Sequence, residues 1–100
     1  TREMGRRAAR GEFLQYLDSD DLLRPRKFEL QVAALRRQPE CGAAYGWICV
    51  HPVDRAPLES PFKGSGEARD TLFPRILADR WWNTDCPLLR RSVTDAVGPW

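Results

Sequence analysis

A chain of 100 residues with 42 % hydrophobic and 30 % charged residues has the composition of one small folded domain, not of a disordered segment, and that size leaves room for a single modest core. Sixteen basic residues against fourteen acidic ones leave a net charge of +2, too weak a field to gather nucleic acid, and no apolar run reaches the roughly 18 residues that a membrane span needs. Cys41, Cys49 and Cys86 contain no C-x-x-C pair, which is poor material for a disulfide framework, and the start Thr1-Arg2-Glu3-Met4-Gly5 leads into no apolar stretch of the signal-peptide kind, so the expected setting is reduced and cytoplasmic.

From the start, Arg2 to Arg10 is rich in helix-forming residues and Gly11 is a natural stop. Arg2, Arg6, Arg7 and Arg10 span more than one face of that helix, as on a solvated surface. Phe13-Leu14-Gln15-Tyr16-Leu17 reads as a strand buried on both faces, the pattern of a parallel sheet, and it ends at Asp18. Pro25 fits the first turn of a second helix that runs to about Gln38. Its expected buried stripe is Phe28, Val32 and Leu35, flanked by Leu30 and Ala34, with Arg26, Lys27, Arg36 and Arg37 facing solvent.

Pro39 and Gly42 close this helix, and Ala43 to Val50 resumes as a strand, with Tyr45, Trp47 and Cys49 on one face and Ala44, Ile48 and Val50 on the other. Strand, helix and strand in this order predict a right-handed crossover in a parallel sheet. Residues 51–69, broken by Pro52, Pro57, Pro61, Gly64 and Gly66, read as a surface loop with the composition of a lid. Asp70 can cap a helix to about Asp79 with Leu72, Phe73, Ile76 and Leu77 as its apolar side. Trp81 to Leu89 is then mixed extended chain, and Ser92 opens a last helical turn stopped by Gly98 and Pro99.

Chemistry concentrates at Asp18-Ser19-Asp20-Asp21, at the carboxyl end of the first strand, where open α/β sheets bind ligands. Carboxylates this close repel one another unless a cation or hydrogen-bond donors offset the charge, and hard oxygen donors suit Mg²⁺ or Mn²⁺. The plainer alternative is that Asp20 or Asp21 starts the turn into the second helix, and charge and position alone do not separate the two. An EF-hand loop beginning at Asp18 fails on its letters, because Leu22 and Leu23 occupy a ligand and the turn-glycine position. A zinc site of the three cysteines with His51 is disfavoured by the Cys49 and His51 spacing. An aspartyl phosphotransferase would use Asp18 as nucleophile and Asp20 as general acid, but Leu22 stands where that class usually has Thr or Val.

Read whole, Gly11 to Glu29, with Leu17-Asp18-Ser19-Asp20-Asp21-Leu22-Leu23-Arg24-Pro25 at its centre, resembles the middle of family 2 glycosyltransferases of the GT-A fold. The likeness continues through Gln31-Val32 and Leu35, Pro39-Glu40-Cys41-Gly42 and Tyr45-Gly46, and again at Pro87 to Arg91 and Val97 to Trp100, leaving residues 53–69 unmatched. It implies an α/β fold with a mostly parallel, Rossmann-like sheet flanked by helices. It also implies one partial domain over residues 1–100: a donor and metal side over 1–50, the loop over 51–69, and an acceptor side over 70–100.

The resemblance further implies a D-x-D motif, with Asp18 beside the nucleotide ribose, Asp20 on a Mn²⁺ or Mg²⁺ ion that holds the diphosphate, Asp18 the second candidate metal residue, and Asp21 either behind the ligands or at the start of the helix. Asp18, Ser19, Asp20 and Arg2 would then bind a nucleotide-sugar donor. Trp81, Trp82 and Asp85 are the candidate acceptor residues, for a saccharide, lipid or protein acceptor. The enzyme implied is a metal-dependent cytoplasmic transferase, with work on lipid-linked acceptors at the inner face of the membrane as one alternative. Its general base is expected in a Glu-Asp pair beyond Trp100, so the 100 residues alone are expected to be inactive. One departure is Arg2-Glu3-Met4-Gly5, where the family has Arg-Asn-x-Gly. A reading from another class is a non-catalytic remnant or partner-binding module that keeps only the sheet.

Overall fold

The computed structural model describes residues 1–46, 48–59, 74 and 84–99. Helix α1 covers Arg2–Ala8, strand β1 Phe13–Gln15, helix α2 Lys27–Arg37, and strands β2 and β3 Ala43–Ala44 and Cys49–Val50. Strand β4 is Leu58–Glu59, strand β5 is Leu88–Arg90, and helix α3 is Arg91–Val97. No helix among the described residues is long and apolar enough to cross a membrane.

Charge, not apolar packing, holds α1, which has no buried residue. Glu3 accepts two hydrogen bonds from Arg6 at 2.8 Å, and a third at 2.9 Å from Arg7, one turn along the same helix. Arg6 also donates from Nη1 to Asp95 of α3 at 2.7 Å, so the triad ties the two helices. These two arginines hold the Glu3 carboxyl at about 2, against an ordinary 4.5. A depressed carboxylate contributes its stabilisation fully above its unfolded value and loses it as pH falls. The Glu3–Arg6–Arg7 cluster within α1 is therefore expected to release between pH 4.5 and about 2. Amide shifts of Arg6 and Arg7 would follow that release, and Glu3→Gln should remove this transition.

The sheet is the main correction to the sequence reading. Its order is β1-β5-β2, and both pairings are antiparallel: Phe13 opposite Arg90, Gln15 opposite Leu88, Ala43 opposite Leu89 and Ala44 opposite Leu88. The strand-helix-strand unit is present, since β1 and β2 run in the same direction, but β5 occupies the place between them. A mostly parallel, hydrogen-bonded crossover pair is thus not what forms. The α/β character stands, with α2 packed on β2 and β5 and α3 on β5.

Among the described residues the buried hydrophobic side chains are Leu14, Leu35, Cys86 and Leu88, one from each of β1, α2, the turn before β5, and β5. Strand β1 is consequently fully covered on one face only, with Leu14 inside and Phe13 and Gln15 half-buried, and it ends at Gln15, short of the expected Leu17, which is 47 % exposed. In α2 the buried positions are Gln31 and Leu35, not Phe28 and Val32, so the inward stripe is displaced by about one residue and includes half-buried Lys27. Phe28 is 45 % exposed and Leu30 56 %. Pro25 lies ahead of the helix, which takes Arg26 as its N-cap and begins at Lys27.

The expected strand from Ala43 to Val50 divides at Tyr45-Gly46, because β2 pairs with β5 whereas β3 turns away to form a hairpin with β4. The described part of the expected loop, residues 51–59, is the return of that hairpin. The remainder of that loop, Trp47, the helix expected from Asp70 to Asp79 apart from Pro74, and Trp81-Trp82 lie outside the described residues. Helix α3 starts at Arg91, directly after β5, and ends at Gly98 with φ +90, a conformation that favours glycine.

Gly42, between α2 and β2, is constrained by crowding. A Cβ there would meet Cγ2 of Val93 at 2.5 Å, and a β-branched side chain has little freedom to swing away. The Gly42 carbonyl also accepts the Arg90 amide at 2.8 Å, which fixes the backbone. Gly42→Ala is expected to cost about 1–3 kcal/mol, the usual range for overpacking, measured by urea unfolding. A change below about 0.5 kcal/mol would mean that α3 shifts freely.

Candidate functional site

The antiparallel register brings two loops to one end of the sheet, residues 16–21 after β1 and residues 84–87 before β5. The first is drawn into a turn by the Asp21 amide donating to the Asp18 carbonyl at 3.2 Å. Asp20 and Asp21 therefore close a turn of their own and do not start α2, which begins six residues beyond Asp21 at Lys27. Asp18 and Asp20 are exposed and Asp21 is half-buried.

Asp18 is ion-paired to Arg2, Nη2 to Oδ1 at 2.7 Å, with the two side chains 43 % and 47 % exposed. A pair this open to solvent is worth about 0–1 kcal/mol, so it orients the carboxylate more than it stabilises the fold. Beside it is an open cleft of about 610 Å³ between α1 and the end of β1, lined by Arg2, Gly5, Gln15, Tyr16, Asp18 and Ser19 among others. Of the expected donor residues, Arg2, Asp18 and Ser19 thus share one cleft. Asp20 is on the next position of the turn and outside the lining.

Asp21 lies near Asp85 of the second loop. Repulsion from the Asp85 carboxylate, followed by burial, pushes the Asp21 carboxyl above its usual range, and Asp20 and Asp18 add to the same effect. Two carboxyls in contact are stable when they share a proton or a cation. Asp85, expected on the acceptor side, is therefore joined to the acidic turn. Among the described residues no three His, Cys, Asp or Glu side chains converge as a ready-made metal cage. Mg²⁺ commonly takes only one or two protein carboxylates beside water and phosphate oxygens, a demand that one exposed carboxylate such as Asp20 can meet without a cage. The cysteines are free thiols.

Sequence patterning assigns no functional role to the polar residues beneath this site, and Lys27, expected to face solvent, is half-buried among them. Gln15 donates from Nε2 to the Tyr16 carbonyl at 2.5 Å and to the Asp85 carbonyl at 2.8 Å, linking the two loops. Lys27 donates to Oε1 of Gln15, and to Oε1 of Gln31 at 2.7 Å. Gln31 in turn donates to the Cys86 carbonyl at 3.3 Å, and Cys86 Sγ donates to the Gly46 carbonyl at 2.6 Å. Two signals were available in the letters: Gln15 is the one amide in an otherwise apolar strand, and Lys27 and Gln31 are one helical turn apart.

Comparison with protein-family models, with curated proteins and with solved structures found no match.

Proposed function

We propose that this chain is part of a GT-A glycosyltransferase domain, holding the diphosphate of a nucleotide-sugar donor through Mn²⁺ or Mg²⁺ at Asp18-Ser19-Asp20. The observation that carries the reading is the acidic turn at the carboxyl end of β1, set beside a cleft to which Arg2 is bound through Asp18. A cleft of about 610 Å³ falls within the roughly 300–1,000 Å³ typical of small-molecule sites. The likeness of Gly11 to Glu29 to family 2 glycosyltransferases supports the same assignment.

In this reading Asp20, exposed on the turn, is the metal ligand. Asp18, oriented by Arg2, faces the nucleotide side of the cleft, and Arg2 adds positive charge where a diphosphate would lie. A divalent ion bound here supplies Lewis-acid stabilisation of the leaving nucleoside diphosphate. Asp85 stands opposite the turn, on the side assigned to a saccharide, lipid or protein acceptor. The parent enzyme would work in the cytoplasm at the inner membrane face.

Calorimetric titration with uridine or guanosine diphosphate tests the reading. Binding is expected with Mn²⁺ present and not after its removal with chelator. Binding indifferent to metal would favour the partner-binding module. Trapping of an acyl-phosphate analogue at Asp18 by beryllofluoride would favour the phosphotransferase.

A further inference from the structure

We infer that Lys27 is a positioning residue for this site: its ammonium fixes the orientation of the Gln15 and Gln31 amides, and those amides hold the Asp85 loop against the acidic turn. The inference rests on the proposed metal and diphosphate site for its functional consequence, but its structural part stands on the hydrogen bonds alone.

The logic is one of donors and acceptors. An ammonium has three donors and no acceptor, and a carboxamide has an oxygen that only accepts and a nitrogen that only donates. With Lys27 between them, both glutamines must turn Oε1 toward its Nζ. Each Nε2 then faces away from Lys27 and finds a backbone carbonyl of the second loop, Asp85 for Gln15 and Cys86 for Gln31. Gln15 also reaches the Tyr16 carbonyl, so one side chain spans both loops. A neutral side chain at position 27 would leave either amide free to turn through 180° and present oxygen to oxygen.

The surroundings make this arrangement specific. Lys27 is half-buried and Gln31 is buried, whereas a lysine on this helix would ordinarily extend into water. Burial lowers the affinity of Lys27 for its proton, and the Cys86 and Asp85 groups facing it act in the opposite direction. Its Nζ also lies 5.6 Å from the centre of the Phe28 ring. The charge is thus held beneath two carbonyls of the loop that carries Asp85, and the loop can neither drift outward nor roll without breaking two amide contacts.

The experiment is nuclear magnetic resonance on the 100-residue chain with Lys27→Met, Lys27→Arg and Gln15→Leu. In the unsubstituted chain the Gln15 side-chain amide protons should cross-relax with the Asp85 and Cys86 backbone. Lys27→Met should abolish those cross-peaks while the Leu14, Leu35 and Leu88 signals stay dispersed. Lys27→Arg, which still donates to both oxygens, should restore them at least in part. Gln15→Leu keeps Lys27 and Gln31 but should free the Asp85 side of the loop, and it serves if the methionine variant does not fold. Retention of the cross-peaks in folded Lys27→Met, or of a fixed Asp85 loop in Gln15→Leu, would overturn the inference.

The functional consequence is read separately. Affinity for Mn²⁺ with uridine diphosphate should fall about 10–100-fold in Lys27→Met, the range seen when a group that orients metal ligands is removed. An absence of any such binding in the unsubstituted chain would sink the proposed function and leave the cross-peak result to judge Lys27.

Discussion

Asp20→Ala is expected to lower manganese-dependent affinity for a nucleoside diphosphate by about a hundredfold or more while leaving the stability of the chain within about 0.5 kcal/mol. The second half of that expectation follows from its place in the fold. Asp20 is exposed on a turn closed by the backbone of Asp18 and Asp21, and its side chain makes no hydrogen bond or ion pair among the described residues. Nothing in the packing depends on it. The first half follows from the role assigned to it, since a carboxylate that ligates a cation carries charge which no neighbouring neutral group can replace.

Neighbouring substitutions should behave differently, and the contrast is the informative part. Asp18→Asn breaks the 2.7 Å pair with Arg2 and leaves an amide in the cleft, so a loss of about tenfold is expected. Asp21→Asn removes the partner of Asp85, and the sign of its effect depends on pH. In the unsubstituted chain Asp21 keeps its proton above the ordinary aspartate range because of Asp85, so cation binding should strengthen as pH rises and Asp21 ionises. In Asp21→Asn that dependence should flatten. Equal losses for all three variants would mean that the turn acts only as an undivided patch of charge.

Arg90→Met is expected to have the largest effect on stability, about 3 kcal/mol, given that hydrogen bonds from a charged group contribute about 1.5–3 kcal/mol each. Arg90 lies on the central strand with its side chain 18 % exposed. Its Nε donates to the Cys41 carbonyl at 2.9 Å and its Nη2 to the Leu35 carbonyl, so it satisfies backbone at and beyond the end of α2. The guanidinium also stacks 5.5 Å from the centre of the Phe13 ring and lies 3.6 Å from Glu12. One side chain thereby joins β5, β1 and the α2–β2 connection. Arg90→Lys keeps the charge but not the planar fork, and should recover less than half of the loss. Chemical unfolding measures both, and a cost below about 1 kcal/mol for Arg90→Met would show that water replaces these contacts readily.

The parts of the fold that were legible in the letters are the parts fixed by short-range chemistry. The helix-rich start, the run of good helix formers up to Arg37 and the stop at Gly98 follow from propensity, capping and the φ +90 that glycine accepts. Strand direction was not legible. The neighbour of β1 is β5, more than 70 residues further on, and nothing local to Phe13-Leu14-Gln15 declares which strand will lie beside it.

The buried face of α2 was misjudged for a different reason. Apolar periodicity favoured Phe28 and Val32, yet the helix turns Lys27 and Gln31 inward, where Gln31 satisfies the Cys86 carbonyl and Lys27 meets the amide oxygens of Gln15 and Gln31. Polar residues that serve a buried network break the usual hydrophobic pattern, and they do so beside the candidate site. The acidic turn itself was visible as Asp18-Ser19-Asp20-Asp21. The encounter of Asp21 with Asp85 was not, since it depends on that same distant pairing.

The most direct test of the proposed function is where manganese sits. With Mn²⁺ and uridine diphosphate added to the 100-residue chain, paramagnetic broadening is expected first at the amides of Asp18 to Asp21, then at Asp85 and Cys86, with Leu35 and Thr94 unaffected. Broadening that ignores the nucleotide, or that centres on residues away from the acidic turn, would contradict the assignment of this turn as a metal and diphosphate site.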